Sequence, residues 1–435
     1  MKPITGLYFY ESAISKYRVK HPIYGMVSRF MDCRLWNGVG LPDEGPVSWG
    51  EILRDSRAVL ASYAPHFHES MRLELLAKNL PLILDLDDDV LNLDSRSQVL
   101  SGWSPQNFER VEKIPFGHAH DPEVLEKAGR TGGTIREFKG DYYMVQLGQD
   151  LRTNVMRCVE AADAVTVSTK RLASVYGRVN PSVHVIPNAL DFREWKRVEK
   201  QDGPIRLGLF GSNTHAADWR EVTRSLAEIL KKHPNVRLVH NYWIKETILK
   251  DAEGVEVSRK RQRQFPQCFM DDGLFEHPQV ESHAPSKFED WPSYLAAKQI
   301  DIGLGPLKDT LFNAGKSNLK YLEFSALRIP GVYSKTESYR DDIRHGENGF
   351  LARSPSDWFN ILERLIKDAE LRRKVGNAAF ADVRKRYEAF ETSKTLEKVI
   401  AQVIEKGPRA ESLRERALHS GLVLAEGFSE PTFPR

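Results

Sequence analysis

Cysteine is scarce in this chain. Only Cys33, Cys158 and Cys268 occur, an odd number, far apart and without metal-like pairing. That excludes a disulfide scaffold and a cysteine-based metal site, and it fits thiols kept reduced in a cytosol. Long hydrophobic runs are also missing: no stretch reaches about 18 consecutive apolar residues, so no membrane span is expected. The opening Met1-Lys2-Pro3-Ile4-Thr5 lacks the apolar core of a signal peptide, and a cytoplasmic location is expected. Charge of one sign is not in excess. The formal net charge is +3, too small to make nucleic acid a general partner. No short period repeats, which excludes a solenoid. No Gly-x-Gly-x-x-Gly follows an early strand, which disfavours a dehydrogenase.

What is present is an ordinary globular composition, 41% hydrophobic and 28% charged. At 435 residues the chain exceeds one typical core, so two domains are expected. Short apolar runs alternate with helical stretches, the pattern of parallel α/β architecture. In the first half the runs fall at 7–10, 58–62, 82–86, 164–168 and 184–188, with helices at 67–79 and 147–162. The pattern restarts with strands at 205–210, 236–239, 300–306 and 331–334, a turn into a short strand at 347–351, and a helix at 219–233. Helices at 355–367, 370–386 and 391–405 follow. Residues 95–140 and 250–292 look like irregular insertions, the first a candidate lid. The expected fold class is α/β, two Rossmann-like doubly wound domains facing a central cleft. Their expected bounds are 1–190 and 205–385, with a polar linker at 191–204. Residues 386–435 would form C-terminal helices and a tail, packing back on the first domain.

The segment with most chemical content runs from Phe312 to Phe324, FNAGKSNLKYLEF, after the apolar run at 300–306. Asn, Gly and Ser at a helix start leave N–H groups free at an end carrying partial positive charge. Lys316 and Lys320, four apart, would add two charges on one face. Such an end suits a phosphate, and Glu323 could take ribose hydroxyls. Together these suggest a nucleotide-sugar site; without context the same residues describe a capped, solvated helix.

Four segments in order carry a family resemblance: Ala161–Ser168 (AADAVTVS), Val185–Asp191 (VIPNALD), Lys316–Glu323, and Asn348-Gly349-Phe350-Leu351. The chain resembles the nucleotide-sugar-dependent glycosyltransferases of the GT-B fold, in particular the retaining family 4 (glycosyltransferase group 1). The match covers most of residues 150–390, with a looser one at 82–89. The resemblance implies donor binding by the second domain and acceptor binding by the first. The implied donor-site residues are Gly211, Ser212, Asn213, Thr214 and His215 in the turn after the first strand of the second domain, with Asn313, Gly315, Ser317 and Glu323. Lys316 and Lys320 would face the diphosphate. No metal or other cofactor is expected, and a retaining outcome follows from the resemblance alone. Two departures stand out. Gly315 occupies the position of the first of the family's paired glutamates, where Asn313 or backbone groups would hold the donor sugar instead. Asp87-Asp88-Asp89 follows the strand at 82–86, where a histidine is common.

Asp87 is therefore a candidate catalytic residue, and Asp88 and Asp89 are candidate acceptor ligands, since acids at the carboxyl end of a parallel strand face the cleft. The alternatives are a metal site or simple capping of the turn. Arg18, in the loop after the first strand, is a candidate acceptor or phosphate contact against a solvated-loop reading. The basic run at 259–263 lacks interleaved aromatics and reads as a solvated face. The expected partners are a nucleotide-sugar donor and a glycan or other acceptor, with peripheral membrane association left open. The leading expectation is a glycosyltransferase. The rivals are a degenerate nucleotide-sugar- or partner-binding protein and a nucleotide-sugar epimerase of the same fold.

Overall fold

Two six-stranded parallel sheets organise the protein. The computed structural model describes residues 2–8, 15–29, 31–37, 49–62, 78–92, 108–111, 134–137, 143–146, 151–212, 215–250 and 256–408. The first sheet contains β1 (Ile4–Tyr8), β2 (Cys33–Asn37), β3 (Ala58–Ser62), β4 (Leu82–Leu86), β8 (Ala164–Val167) and β9 (Val183–Val185), in the order β2-β1-β3-β4-β8-β9. Between β4 and β8, the strands β5 (Phe108–Val111), β6 (Thr134–Glu137) and β7 (Tyr143–Gln146) form a separate antiparallel sheet. The second large sheet contains β10 (Ile205–Leu209), β11 (Val236–Asn241), β14 (Val280–His283), β15 (Ile302–Gly305), β16 (Gly331–Ser334) and β17 (Phe350–Ala352), in the order β14-β11-β10-β15-β16-β17. An antiparallel hairpin, β12 (Trp243–Lys250) with β13 (Glu256–Gln264), projects between β11 and β14.

Both large sheets are covered on both faces, which is why their central strands read as continuous apolar runs. Every residue of β3 and β4 is buried. Alternate side chains enter different cores: Leu82, Leu84 and Leu86 face one, Ile83 the other. In the second sheet Leu238 and Val332 face one core, while Val239 and Tyr333 face the other.

The chain crosses between the halves twice, and the crossings are laced together. Leu190 N–H donates to Tyr387 O at 2.8 Å, and Ala389 N–H donates to Leu190 O at 2.9 Å. The final helix, Ala389–Lys406, then lies on the first half through Leu396, Val399, Ile400 and Val403, spaced as one helical stripe. Gly25 makes this approach possible. A Cβ there would come within 2.7 Å of the Ala389 carbonyl oxygen.

Several expectations are corrected. The first strand starts at Ile4, and β2, half-exposed at the sheet edge, escaped sequence reading. The expected irregular insertion at 250–292 holds all of β13 and all of β14. Much of 95–140 and of the expected helix at 67–79 lies outside the described residues. The signature segment is not one helix. It splits into Leu311–Gly315 and Leu319–Ala326, with Lys316 extended between them at φ −64°, ψ 147°. Gly, Ser and Asn in sequence favour such a break.

Candidate functional site

The carboxyl ends of both large sheets face one cleft, where ligands of open α/β sheets bind. From the second half, the turn after β10 begins at Gly211. The Asn241 side chain clamps this turn: its Oδ1 accepts from Gly211 N–H at 3.0 Å and its Nδ2 donates to Gly211 O at 2.7 Å. The His215 ring covers Gly211, where a Cβ would stand 3.0 Å from the ring. His215 Nδ1 pairs with Asp218 Oδ2 at 2.8 Å. Asp218, buried, also accepts from Lys308 N–H at 2.9 Å and Asn313 Nδ2 at 2.8 Å. Ser212 lies in the same turn, while Asn213 and Thr214 fall outside the described residues.

The break in the signature segment sets the two lysines on different elements, so they do not share one helical face. Lys316 Nζ lies 5.0 Å from the Phe312 ring centroid. Lys320, in the first turn of its helix, bonds Glu323 Oε2 at 2.8 Å and sits 5.1 Å from the Trp291 ring centroid. Glu323, buried, also accepts from Tyr17 OH of the first half at 3.3 Å. Trp291 belongs to an aromatic wall with Tyr294, stacked at 5.5 Å, and Phe210 at 5.7 Å.

The first half meets this surface at three further points. Thr169 Oγ1 donates to Gly315 O at 3.1 Å, and Asn188 Nδ2 donates to Ser317 Oγ at 2.7 Å. The third point explains Gly315. A Cβ there would lie 3.0 Å from Asp89 Cβ and 3.1 Å from Leu172 Cδ2. The loop after β4 thus occupies the space that a side chain at 315 would need. The two departures from the family pattern, Asp87–Asp89 and Gly315, are one packing event.

Charges face each other across the cleft. Burial raises the Asp88 carboxyl above its usual range, opposed by the charges of Lys316 and His215 and reinforced by Asp89. Burial lowers the His215 imidazole, and Lys316 lowers it further, against the pull of Asp218. Burial also acts to raise Asp218, yet the His215 bond and charge hold it below the usual carboxylate range. Asp88 and the Lys316–His215 pair therefore face each other. Among the described residues no group of three or more His, Cys, Asp or Glu could hold a metal ion, the three aspartates included.

Three candidates are placed elsewhere by their bonding. Arg18 is not a loop residue reaching for ligand. It is buried in an irregular helix, Ser15–Lys20, its guanidinium bidentate on Asp85 and bonded to Ile186 O. Asp85 also accepts from Thr166 Oγ1 at 2.6 Å, so the pair is a closed network inside the first half. Asp89 is spent on its own turn, accepting from Asn92 N–H at 3.3 Å and Asn92 Nδ2 at 2.7 Å. Asn313 gives its amide protons to Asp218 and, at 2.9 Å, to Lys308 O, leaving none for a donor sugar. Asp87 and Asp88 lie at the cleft edge, and Tyr176 OH fixes their loop by donating to Asp88 O at 2.6 Å.

Sequence reading missed Tyr17, Asp218, Asn241 and Trp291. Tyr17, Asn241 and Trp291 lie far along the chain from the residues they support, and Asp218, three residues from His215, also holds the distant Lys308 and Asn313.

No known family description matches the chain, and no curated protein sequence matches it either. Solved structures do. Sucrose-phosphate synthase from Thermosynechococcus elongatus aligns with a TM-score of 0.55 at 12% identity, covering 94% of this chain and 100% of that one. Anabaena HepE in complex with UDP aligns with a TM-score of 0.55 at 12% identity, covering 92% of this chain and 100% of that one. The same protein with UDP-glucose gives 0.55 at 12% and the same coverage. The likeness shows the fold: two Rossmann-like halves facing a cleft, the GT-B architecture.

Proposed function

We propose that the protein is a glycosyltransferase that takes a sugar from a nucleoside diphosphate donor held by the second half and passes it to a glycan or other acceptor. One observation carries the reading. Lys316, Lys320, the clamped Gly211 turn, Glu323 and an aromatic wall converge at the carboxyl ends of the second sheet. Each part answers one part of a sugar nucleotide. The aromatic face of Trp291 and Tyr294 suits a nucleobase. Glu323 suits ribose hydroxyls, once Tyr17 and Lys320 share it with them. The Gly211–Ser212 turn and Lys316 suit the diphosphate. As the bond to the anomeric carbon breaks, the diphosphate gains negative charge, and cations already aimed there stabilise the transition state more than the ground state. Retention of configuration, a cytoplasmic setting and a role in glycan synthesis belong to this proposal. The fold likeness to structures holding UDP and UDP-glucose supports a nucleotide-sugar donor.

Asp88 faces the proposed diphosphate from the first half. A carboxyl there is placed to meet an acceptor hydroxyl, and Asp87 beside it belongs to the same edge. With Arg18, Asp89 and Asn313 engaged elsewhere, the donor sugar would be held by the backbone near Gly315 and by Asp88.

A second reading, nucleotide-sugar binding without turnover, is favoured by the filled space at Gly315. Incubating the protein with a panel of nucleoside diphosphate sugars, with and without candidate glycan acceptors, separates the two. The enzyme consumes one donor; the binding protein retains it unchanged. An epimerase would convert it to a new sugar nucleotide without acceptor. No turnover and no binding with any donor would sink both readings.

A further inference from the structure

A second cluster of cations lies at the opposite end of the second sheet, far from the cleft. A cavity of about 260 Å³ opens there, lined by Arg197, Lys200, Asp301, Arg328, Arg372 and Arg373 together with apolar neighbours. Asp301 and Pro330 immediately precede β15 and β16, so the cavity sits at the amino ends of strands whose carboxyl ends face the proposed donor.

The cations outnumber the acids that could neutralise them. Lys200 pairs with Asp301, and Arg373 pairs with Glu370. Three guanidiniums have no carboxylate partner among the described residues. Arg197 is exposed on the crossing segment. Arg328 donates to Asn377 Oδ1 at 3.0 Å and stacks 3.9 Å from the Phe380 centroid. Arg372 donates to the carbonyls of Leu365 and, at 3.0 Å, Ile366. The 18-residue helix Ala369–Arg386 starts at the rim, where the Asp368 carboxylate already caps it by accepting from Leu371 N–H at 2.8 Å.

The placement of Arg328 is unusual. Helix Leu319–Ala326 ends in a paired turn, with Ile329 N–H bonded to Phe324 O at 3.0 Å and Arg328 N–H to Ser325 O at 2.9 Å. The residue at the turn adopts φ +59°. Glycine fits that position without steric cost; here an arginine takes it and sends a guanidinium to the cavity.

We propose that this cavity binds a small, multiply charged anion of the phosphate-ester class, at a site separate from the nucleotide. Three guanidiniums without a carboxylate partner offer the fork geometry that phosphate oxygens take up. The walls belong to the crossing segment at 197–200, the turns before β15 and β16, and the helix that leads back to the first half. A ligand there would tie together segments that connect the two halves, and would act on the cleft through them. The cavity's size favours a free small molecule over a lipid surface.

Calorimetric titration of the full chain with inorganic pyrophosphate tests this in low salt, where exposed charges are least screened. The protein should carry Lys316→Ala to remove the proposed diphosphate site, so failure of that site and of this one are distinguishable. Saturable binding is expected, weakened about tenfold or more by Arg197→Glu or by Arg328→Gly, each about one charge-assisted contact. Arg197→Glu alters an exposed side chain, and Arg328→Gly suits the local backbone, so neither should unfold the protein. No pyrophosphate binding in the Lys316→Ala protein would overturn the proposal, as would an affinity left unchanged by both arginine substitutions. Binding to phosphatidylglycerol vesicles without pyrophosphate binding would also overturn it, assigning the patch to a membrane surface.

Discussion

Replacing Gly315 by glutamate would restore the side chain that the glycosyltransferase pattern expects, and the structure says it does not fit. The new Cβ would stand 3.0 Å from Asp89 Cβ and 3.1 Å from Leu172 Cδ2. Leu172 can turn aside, but Asp89 is held by two bonds to Asn92 and by its place directly after β4. Forcing extra atoms into such packing costs about 1–3 kcal/mol. Removing a glycine from a helix returns about 0.5–1 kcal/mol. These two effects leave a net loss of about 0–2.5 kcal/mol, and the new carboxylate beside Asp88 and Asp89 adds to it. At roughly 2–4 °C per kcal/mol, Tm should fall, by up to about 10 °C, in differential scanning calorimetry. Gly315→Ala should fall less, because it adds the close contact without the charge. A Gly315→Glu protein melting at or above the wild-type temperature would show that the side chain is accommodated. It would mean that the loop after β4 yields and that packing does not explain the glycine.

Arg18→Met should destabilise the first half by about 3–5 kcal/mol in urea titration, because it strands Asp85 as an unpaired buried charge; a loss below about 1 kcal/mol would contradict the closed network. His215 should gain a proton when donor binds. Burial, and then the charge of Lys316, hold its imidazole below the ordinary histidine range, and an incoming diphosphate raises it. Affinity for a nucleoside diphosphate sugar should therefore rise as pH falls from 7.5 towards 5.5, and His215→Gln should flatten that rise; an unchanged slope would exclude the histidine. Tyr17→Phe should cost about 0.5–1.5 kcal/mol of stability. It should also tighten donor binding a few-fold, since Glu323 no longer shares its oxygen with the phenol; weaker binding in that variant would show that Tyr17 helps the donor instead.

The two sheets were legible because buried parallel strands leave unbroken apolar runs, as at Leu82–Leu86 and Ala164–Val167. The resemblance was legible for a different reason. Several of its marker residues are braces. Asp163 accepts from Leu82 N–H at 2.7 Å, tying a helix end to β4. Asn188 holds Ser317 across the cleft. Asn348 donates to Tyr321 OH at 2.9 Å, fixing the helix that carries Lys320 and Glu323. Such residues have fixed spacing because the fold needs them at fixed places. What sequence could not show was partnership over long separations. Arg18 looked available until Asp85 was found beside it, and Asn313 looked free until Asp218 and Lys308 took both its protons. The helix break at Lys316 is local, yet the matching apolar residues on either side hid it. The edge strands β2 and β14 were missed because their half-exposed residues lack the apolar signal of the centre.

Under the proposed function, Lys316 and its surroundings hold the diphosphate of a sugar nucleotide. Isothermal titration of wild-type and Lys316→Ala proteins with the donor selected from the panel tests it most directly. Loss of a charge-assisted contact should weaken binding by about 10- to 100-fold, or about 1.5–3 kcal/mol, with the melting temperature little changed. Equal donor affinity in the two proteins would mean that Lys316 does not hold the diphosphate.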